Sequence, residues 1–344
     1  MIRFGLIGCG NIAKFHFMGI EKAGGKVTFI ADLNEEAARP WIEKTGAEFS
    51  TDYMDLISST NVDVVSVLAS ARFHKEMCMA AIAAGKDVIC EKTMTNSGTE
   101  AIEIVRTAKK AGCLFFTTYM KRFFPAVDKG KQLLPDLGRI MSAHVRSYQQ
   151  WGDFFTTNEL GWARGVTRNY GGAILKCAGS HMLNMTMDFL GRPDSVYARF
   201  DYVPNTDFDR KVTALMEYVD GKTVTFEALA HPLTKIGYEK NSWDEKLEIN
   251  GVNGRMEIFT VMWDQPEHNG ALLKFYDNKE ETVTEYRYDP VNPFDIELAQ
   301  IVQAVEMRHQ IKPDAAEGYY VDELISSMEK SSELKAAVKI PWKM

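Results

Sequence analysis

Between residue 2 and about residue 120, short and nearly continuous apolar runs alternate with longer stretches of helical period. This alternation is what β-α-β units feeding a parallel sheet produce. Residues 2–7, 27–31, 62–68, 87–90 and 114–119 read as strands covered on both faces. Residues 12–23, 35–45, 74–84 and 99–111 read as helices, and Gly24, Gly46, Gly85 and Gly112 follow them as left-handed stops. Four crossovers in one direction predict a doubly wound parallel sheet with helices on both faces.

After Pro125 the pattern changes. A helix-like stretch is followed by residues 139–151 and then by a segment rich in Gly and aromatic residues, 152–172. Beyond a helical stretch at 180–190, apolar and polar positions alternate at 195–202, 212–218, 223–230, 243–250, 255–259, 272–276 and 282–288. Tight turns such as Asp220-Gly221 and Asn250-Gly251 join them, which predicts antiparallel pairing. Helices return at 293–308 and 318–335. The expected organisation is α/β: a domain over 1–122, and an α+β domain over 123–344 with a large, mainly antiparallel open sheet.

The length of 344 residues suits two domains of ordinary globular composition. Forty Lys and Arg against 47 Asp and Glu give a net charge of −7, so no global basic field exists for nucleic acid or an anionic membrane. No run approaches the apolar length of a spanning helix, which predicts a soluble, unexported protein. Cys9, Cys78, Cys90, Cys113 and Cys177 form no CxxC pair and no Cys/His ligand spacing, so a reducing cytoplasm is expected and a structural metal site is not.

Candidate chemistry begins at the first loop. Gly8-Cys9-Gly10-Asn11-Ile12-Ala13 follows the first strand directly and opens the first helix, the context a dinucleotide fingerprint requires. Gly8 permits the tight turn, Gly10 lets backbone N–H groups reach a pyrophosphate, and Ala13 allows the helix to approach the strand. Gly8, Gly10, Asn11 and Ile12 are therefore candidate cofactor-binding residues of a Rossmann unit. Asp32, at the end of the second strand, can accept hydrogen bonds from the adenosine ribose hydroxyls and would repel a 2′-phosphate, which favours NAD over NADP. As a carboxylate after a strand it also fits a plain turn. Glu91-Lys92 stands at the carboxyl end of the next candidate strand but one, the edge where open α/β sheets bind ligands. Further on, Cys177 and His181 are four apart and share a face if both are helical, behind a turn containing Gly171 and Gly172. His181 on spacing alone fits either a catalytic or a hydrogen-bonded structural histidine.

Together these motifs resemble the glucose-fructose oxidoreductase, inositol dehydrogenase and MocA family (Gfo/Idh/MocA) over essentially the whole chain. The nucleotide loop comes first, then His74 before the helix that runs into Gly85-Lys86-Asp87-Val88-Ile89-Cys90-Glu91-Lys92, then an Arg122-containing segment, then the stretch 171–190 with His181. The resemblance implies nicotinamide-dependent redox of a sugar, cyclitol or glycoside derivative. It implies Lys92 and His181 as the catalytic pair, with Glu91 and Lys92 near the nicotinamide ribose. Arg122, Trp162, Arg164, Arg168 and Cys177 become candidate substrate contacts, although Trp162 equally fits a core. Three positions depart from the family pattern: Thr93 replaces a usual proline, Cys177 a frequent catalytic aspartate, and Asn184 a common aspartate. Cys177 reads as an inert wall residue or as a nucleophile. Two other functions fit the same residues: NAD-assisted glycoside cleavage by transient oxidation and elimination, and a noncatalytic NAD-binding sensor. The open sheet of the second domain, together with the resemblance, implies a homodimer or homotetramer.

Overall fold

The apolar runs of the first half become strands, each trimmed to the residues that pair. β1 (Arg3–Ile7), β2 (Lys26–Ala31), β4 (Val64–Val67), β5 (Asp87–Cys90) and β6 (Phe115–Thr117) are joined by a short edge strand, β3 (Glu48–Ser50). The edge strand and the helix Tyr53–Ser58 lie in a stretch the hydrophobic pattern left unassigned. The computed structural model describes residues 1–157, 159–167, 171–262 and 270–344.

All pairs in the first sheet are parallel, in the order β3-β2-β1-β4-β5-β6. Chain direction across the sheet reverses between β1 and β4, so the loop after β1 lies at the topological switch point. Gly24, Gly46, Gly85 and Gly112 all take positive φ after their helices, as expected. Asn34, Asp52 and Ser97 cap the helices that follow them through their side chains.

The chain divides into two compact units. Unit 1 comprises Met1–Tyr119 and Phe294–Asp322, and unit 2 comprises Met120–Pro293 and Glu323–Met344. The expected boundary at 122 thus lies three residues past the first crossing, and the expected single second segment 123–344 returns Phe294–Asp322 to unit 1. The reason is visible in the core. The helix Pro293–Glu306 places Leu298, Ile301, Val302 and Val305 in one cluster with Phe4, Leu6, Phe17, Ile20 and Ile30, and Phe294 stacks on Phe15 at 4.9 Å. Local periodicity carries no information about which core an amphipathic helix joins.

Unit 2 is built on nine strands in the order β14-β13-β12-β11-β7-β10-β9-β8-β15. They are β7 (Ile140–Gln150), β8 (Ser195–Tyr202), β9 (Asp209–Glu217), β10 (Thr223–His231), β11 (Asp244–Gly251), β12 (Gly254–Thr260), β13 (Leu272–Asp277), β14 (Thr282–Arg287) and β15 (Val338–Lys339). Every pair is antiparallel except β7 with β10. One face carries Val145, Leu247, Val224 and Phe226, all buried, and packs under the segment Leu175–Leu190. The other face is polar and internally paired: Arg146 with Asp244 at 2.8 Å, Tyr148 Oη donating to Glu227 at 2.6 Å, and Lys246 with Glu248 and Glu257 at 2.7 and 3.0 Å. On the buried face Glu245 is saturated with donors: Ser147, Gln149, Trp243, Thr260 and the ammonium of Lys121. That pair anchors the turn Met120–Phe123, and removing either partner costs about 3–5 kcal/mol.

Candidate active site

In unit 1 the loop at residues 8–13 takes the shape its composition demands. Gly8 has φ +103°, and its N–H donates to Ala31 O at 2.9 Å, tying β1 to β2. A Cβ there would stand 3.0 Å from the backbone of Leu68 and Ala69, so only glycine fits. Gly10 is different: a Cβ there meets nothing within 4 Å, which leaves the backbone open on the side where a pyrophosphate would approach. Ala13 is fully buried at the start of the helix Ala13–Lys22. These residues fit a dinucleotide.

Asp32 stands beside that loop. Its carboxylate accepts the N–H of Cys9 at 2.6 Å and the N–H of Asn34 at 2.7 Å. It therefore does the turn work of one expectation, and its oxygens can each accept a further hydrogen bond, as the other expectation requires. Arg39, the cation the sequence offers after Asp32 for a 2′-phosphate, faces Glu35 at 3.8 Å on the next helix. Burial and the Asp32 charge push the Cys9 thiol up to about 12, so it is inert within the loop.

Glu91 follows β5, and its N–H donates to Val67 O at 3.0 Å. Its carboxylate sits 3.0 Å from His16 Nε2, and Ser66 Oγ sits 3.3 Å from His16 Nδ1. The network is consistent with His16 donating through Nε2 and accepting from Ser66. Burial pushes the Glu91 carboxyl up, but the bond from His16, the Lys92 charge and the Thr118 hydroxyl outweigh it and hold Glu91 below its ordinary range. Lys92 comes next, and the Lys92–Thr93 peptide is cis. His74 is buried between the loops after β4 and β5, with its ring nitrogens 2.9 Å from Ala69 O and Thr93 O. His16 and Ser66 escaped sequence reasoning. The available signal was Ser66, a polar side chain inside the apolar run Val64-Val65-Ser66-Val67.

In unit 2 the segment expected as a helix from 180 begins earlier, as a π-helical turn over Leu175–Gly179 that continues into the helix Ser180–Leu190. Such turns recur at functional sites. Cys177 is half-buried and His181 buried. Asn184, one turn beyond His181, is buried with its Oδ1 lacking a hydrogen-bond partner among the described residues. An unpaired buried acceptor costs about 1–3 kcal/mol, which a hydroxyl held there would recover. Arg122 does not stand open to a ligand: its guanidinium is buried and donates to Asp188 Oδ1 at 2.5 Å, pinning the turn Met120–Phe123 to the helix Ser180–Leu190. Trp162 is 68% exposed, which removes the core alternative; its Nε1 donates to Trp151 O at 3.2 Å and the two rings lie 5.8 Å apart. Arg164 is exposed on the same short turn, Gly161–Gly165. Arg168 lies outside the described residues.

The family model described as oxidoreductase family, NAD-binding Rossmann fold, matches residues 2–119, and the GFO/IDH/MocA C-terminal domain matches residues 134–257. A D-xylose 1-dehydrogenase (NADP+) of Haloferax volcanii is 24% identical over 98% of this chain and 99% of its own length. A myo-inositol 2-dehydrogenase of Thermotoga maritima is 32% identical over 42% of this chain and 43% of its own length. Among solved structures, levoglucosan dehydrogenase in complex with NADH and levoglucosan shares the fold at a TM-score of 0.85 and 20% identity, covering 99% of this chain and 100% of that one.

Proposed function

The chain belongs to the Gfo/Idh/MocA oxidoreductase family, and from that premise we propose that it moves a hydride between a nicotinamide dinucleotide and a secondary hydroxyl or ketone of a sugar, cyclitol or glycoside derivative. The observation that carries this is one edge of the first sheet. The glycine loop, Asp32 and Glu91-Lys92 stand at the carboxyl ends of β1, β2 and β5, and His16 links Glu91 to the helix that the loop opens. The relatives named for xylose, inositol and levoglucosan support the substrate class.

The nicotinamide, when bound, supplies the two-electron acceptor or donor. The protein's share is binding, orientation and proton handling. Gly8, Gly10, Asn11 and Ile12 offer the pyrophosphate site, and Asp32 takes the ribose hydroxyls, which favours NAD over NADP. Glu91 is held as a carboxylate beside Lys92. In oxidation Lys92 orients the reacting oxygen and His181 accepts its proton; reduction reverses the roles. Cys177 supplies a wall at the position where the family resemblance expects an acid, and Asn184 presents its amide oxygen to a substrate hydroxyl. The exposed Trp162 ring suits the apolar face of a sugar ring, with Arg164 beside it. Arg122 serves the site through the helix it pins.

The protein is proposed to work in the cytoplasm as a homodimer or homotetramer, without nucleic acid or membrane partners. The paired polar face of the nine-stranded sheet supports the assembly, and light scattering tests it. Calorimetric titration with NAD and NADP, followed by absorbance at about 340 nm with a panel of aldoses, inositols and anhydrosugars in both directions, tests the chemistry. Turnover with NAD is expected. Glycoside cleavage without accumulation of reduced cofactor would move the assignment to oxidation with elimination, and affinity for neither nucleotide would end it.

A further inference from the structure

The helix that carries His181 has to be held at its start. Its first turn exposes backbone N–H groups with no partner inside the helix. Two of them, on Ala173 and Leu175, donate to the two oxygens of one carboxylate, Asp209 Oδ1 at 2.5 Å and Oδ2 at 2.8 Å. Asp209 opens β9, is 3% exposed, and lies more than thirty residues away in sequence. From that anchor the chain enters the π turn: Cys177 N–H donates to Ala173 O at 2.9 Å, and Ser180 Oγ donates to Lys176 O at 2.8 Å. Gly179 then lies against β10, where a Cβ would come within 3.0 Å of Phe226 and 3.3 Å of Ala228.

The connection between β8 and β9 holds a second piece. Asp207 Oδ1 accepts from Thr167 Oγ1 at 2.8 Å, at the end of the segment that bears Trp162 and Arg164. The connection itself is closed by Val203 N–H donating to Phe208 O at 2.9 Å. Two carboxylates two residues apart, one in the connection and one at the start of β9, therefore tie both candidate substrate-facing segments of unit 2 to the same stretch of chain.

We propose that Asp209 is a positioning residue: by fixing the first turn of the π segment it sets where Cys177 and His181 stand for the reaction. This rests on the function proposed above. Burial pushes the Asp209 carboxyl up to about 6, opposed by the N–H groups of Leu175 and Ala173 and by the Lys176 ammonium, whose Nζ donates to Gly171 O at 2.9 Å. The carboxylate thus depends on the turn it holds.

The test uses the full chain and the variants D209A and D209N, with hydrogen exchange read by mass spectrometry, labelling of Cys177 by a thiol reagent, NAD titration and steady-state kinetics on the best panel substrate. In D209A, exchange over residues 171–181 and labelling of Cys177 should speed up by about tenfold, as loss of a helix cap does. Exchange in unit 1 and NAD affinity should stay within about twofold, while kcat falls about tenfold or more at unchanged KM for NAD. D209N keeps one acceptor oxygen and should fall between D209A and the parent, and it decides the matter if D209A does not fold. A kcat within about twofold of the parent, or loosening spread evenly over unit 2, would overturn the proposal. If the parent turns over no panel member, the proposed function fails, and local exchange and labelling decide the positioning role: local acceleration supports it and no change refutes it.

Discussion

Glu91 in unit 1 and Asp209 in unit 2 are buried to a similar degree, 7% and 3% exposed, and each stands next to a segment with a proposed catalytic side chain. Their ionisation moves in opposite directions. Burial raises both. For Glu91 the His16 bond, the Lys92 charge and Thr118 outweigh it; for Asp209 two backbone N–H groups and Lys176 do not, and the carboxyl rests at about 6. Depth alone does not set the charge of a buried acid, and the partners do. Unit 1 keeps a fixed negative charge beside Lys92, whereas unit 2 uses a carboxyl near its titration point as a mechanical tie.

The sharpest break between the units is chemical. His181→Ala should lower turnover by roughly a hundred- to ten-thousandfold while leaving NAD affinity intact, measured by steady-state kinetics and calorimetry. Gly8→Val attacks the other side: its Cβ meets backbone at 3.0 Å under a positive φ, so NAD binding should vanish and stability fall by about 1–3 kcal/mol in thermal melts. His16→Ala should cost about 1–3 kcal/mol by leaving Glu91 short of a donor.

Opposite pH signatures follow from the two carboxyls. Glu91 has a depressed pKa, so its contribution is present above its unfolded value and is lost as pH falls through the folded one; the advantage of the parent over Glu91→Gln should shrink on acidification. Asp209 has a raised pKa, so its contribution is present below about 3.8 and is lost as pH rises through about 6; the parent should lose ground to Asp209→Asn across that window. Parallel slopes in denaturant unfolding series would erase the contrast. The smallest effect belongs to Asp32→Ser, which should shift the NAD-to-NADP affinity ratio by about tenfold, or 1.4 kcal/mol.

What the sequence made legible was local. The apolar runs, the stop glycines and the loop at residues 8–13 each depend on neighbours a few positions away, and the strands and turns formed where that pattern put them. Glu91 and Lys92 were visible because a strand end fixes their place. The groups that hold the site together depend on distant pairings instead: His16 with Glu91 across 75 residues, Arg122 with Asp188 across 66, Lys121 with Glu245 across 124. Arg122 shows the cost of reading a cation by position alone, since its charge is taken up inside unit 2. Asp209 carried no signal, because an acid at the start of an alternating strand looks like any solvated edge residue.

The return of Phe294–Asp322 to unit 1 also governs how the protein is made. A ribosome that has released Tyr119 has produced every strand of the nucleotide sheet but not Leu298, Ile301 or Val302, which fill its core. At about 5–20 residues per second, the wait until Phe294 emerges is on the order of ten seconds or more. Through that interval the nascent sheet carries an unfilled apolar seam, open to chaperones, and a prematurely terminated chain leaves no finished nucleotide binder behind.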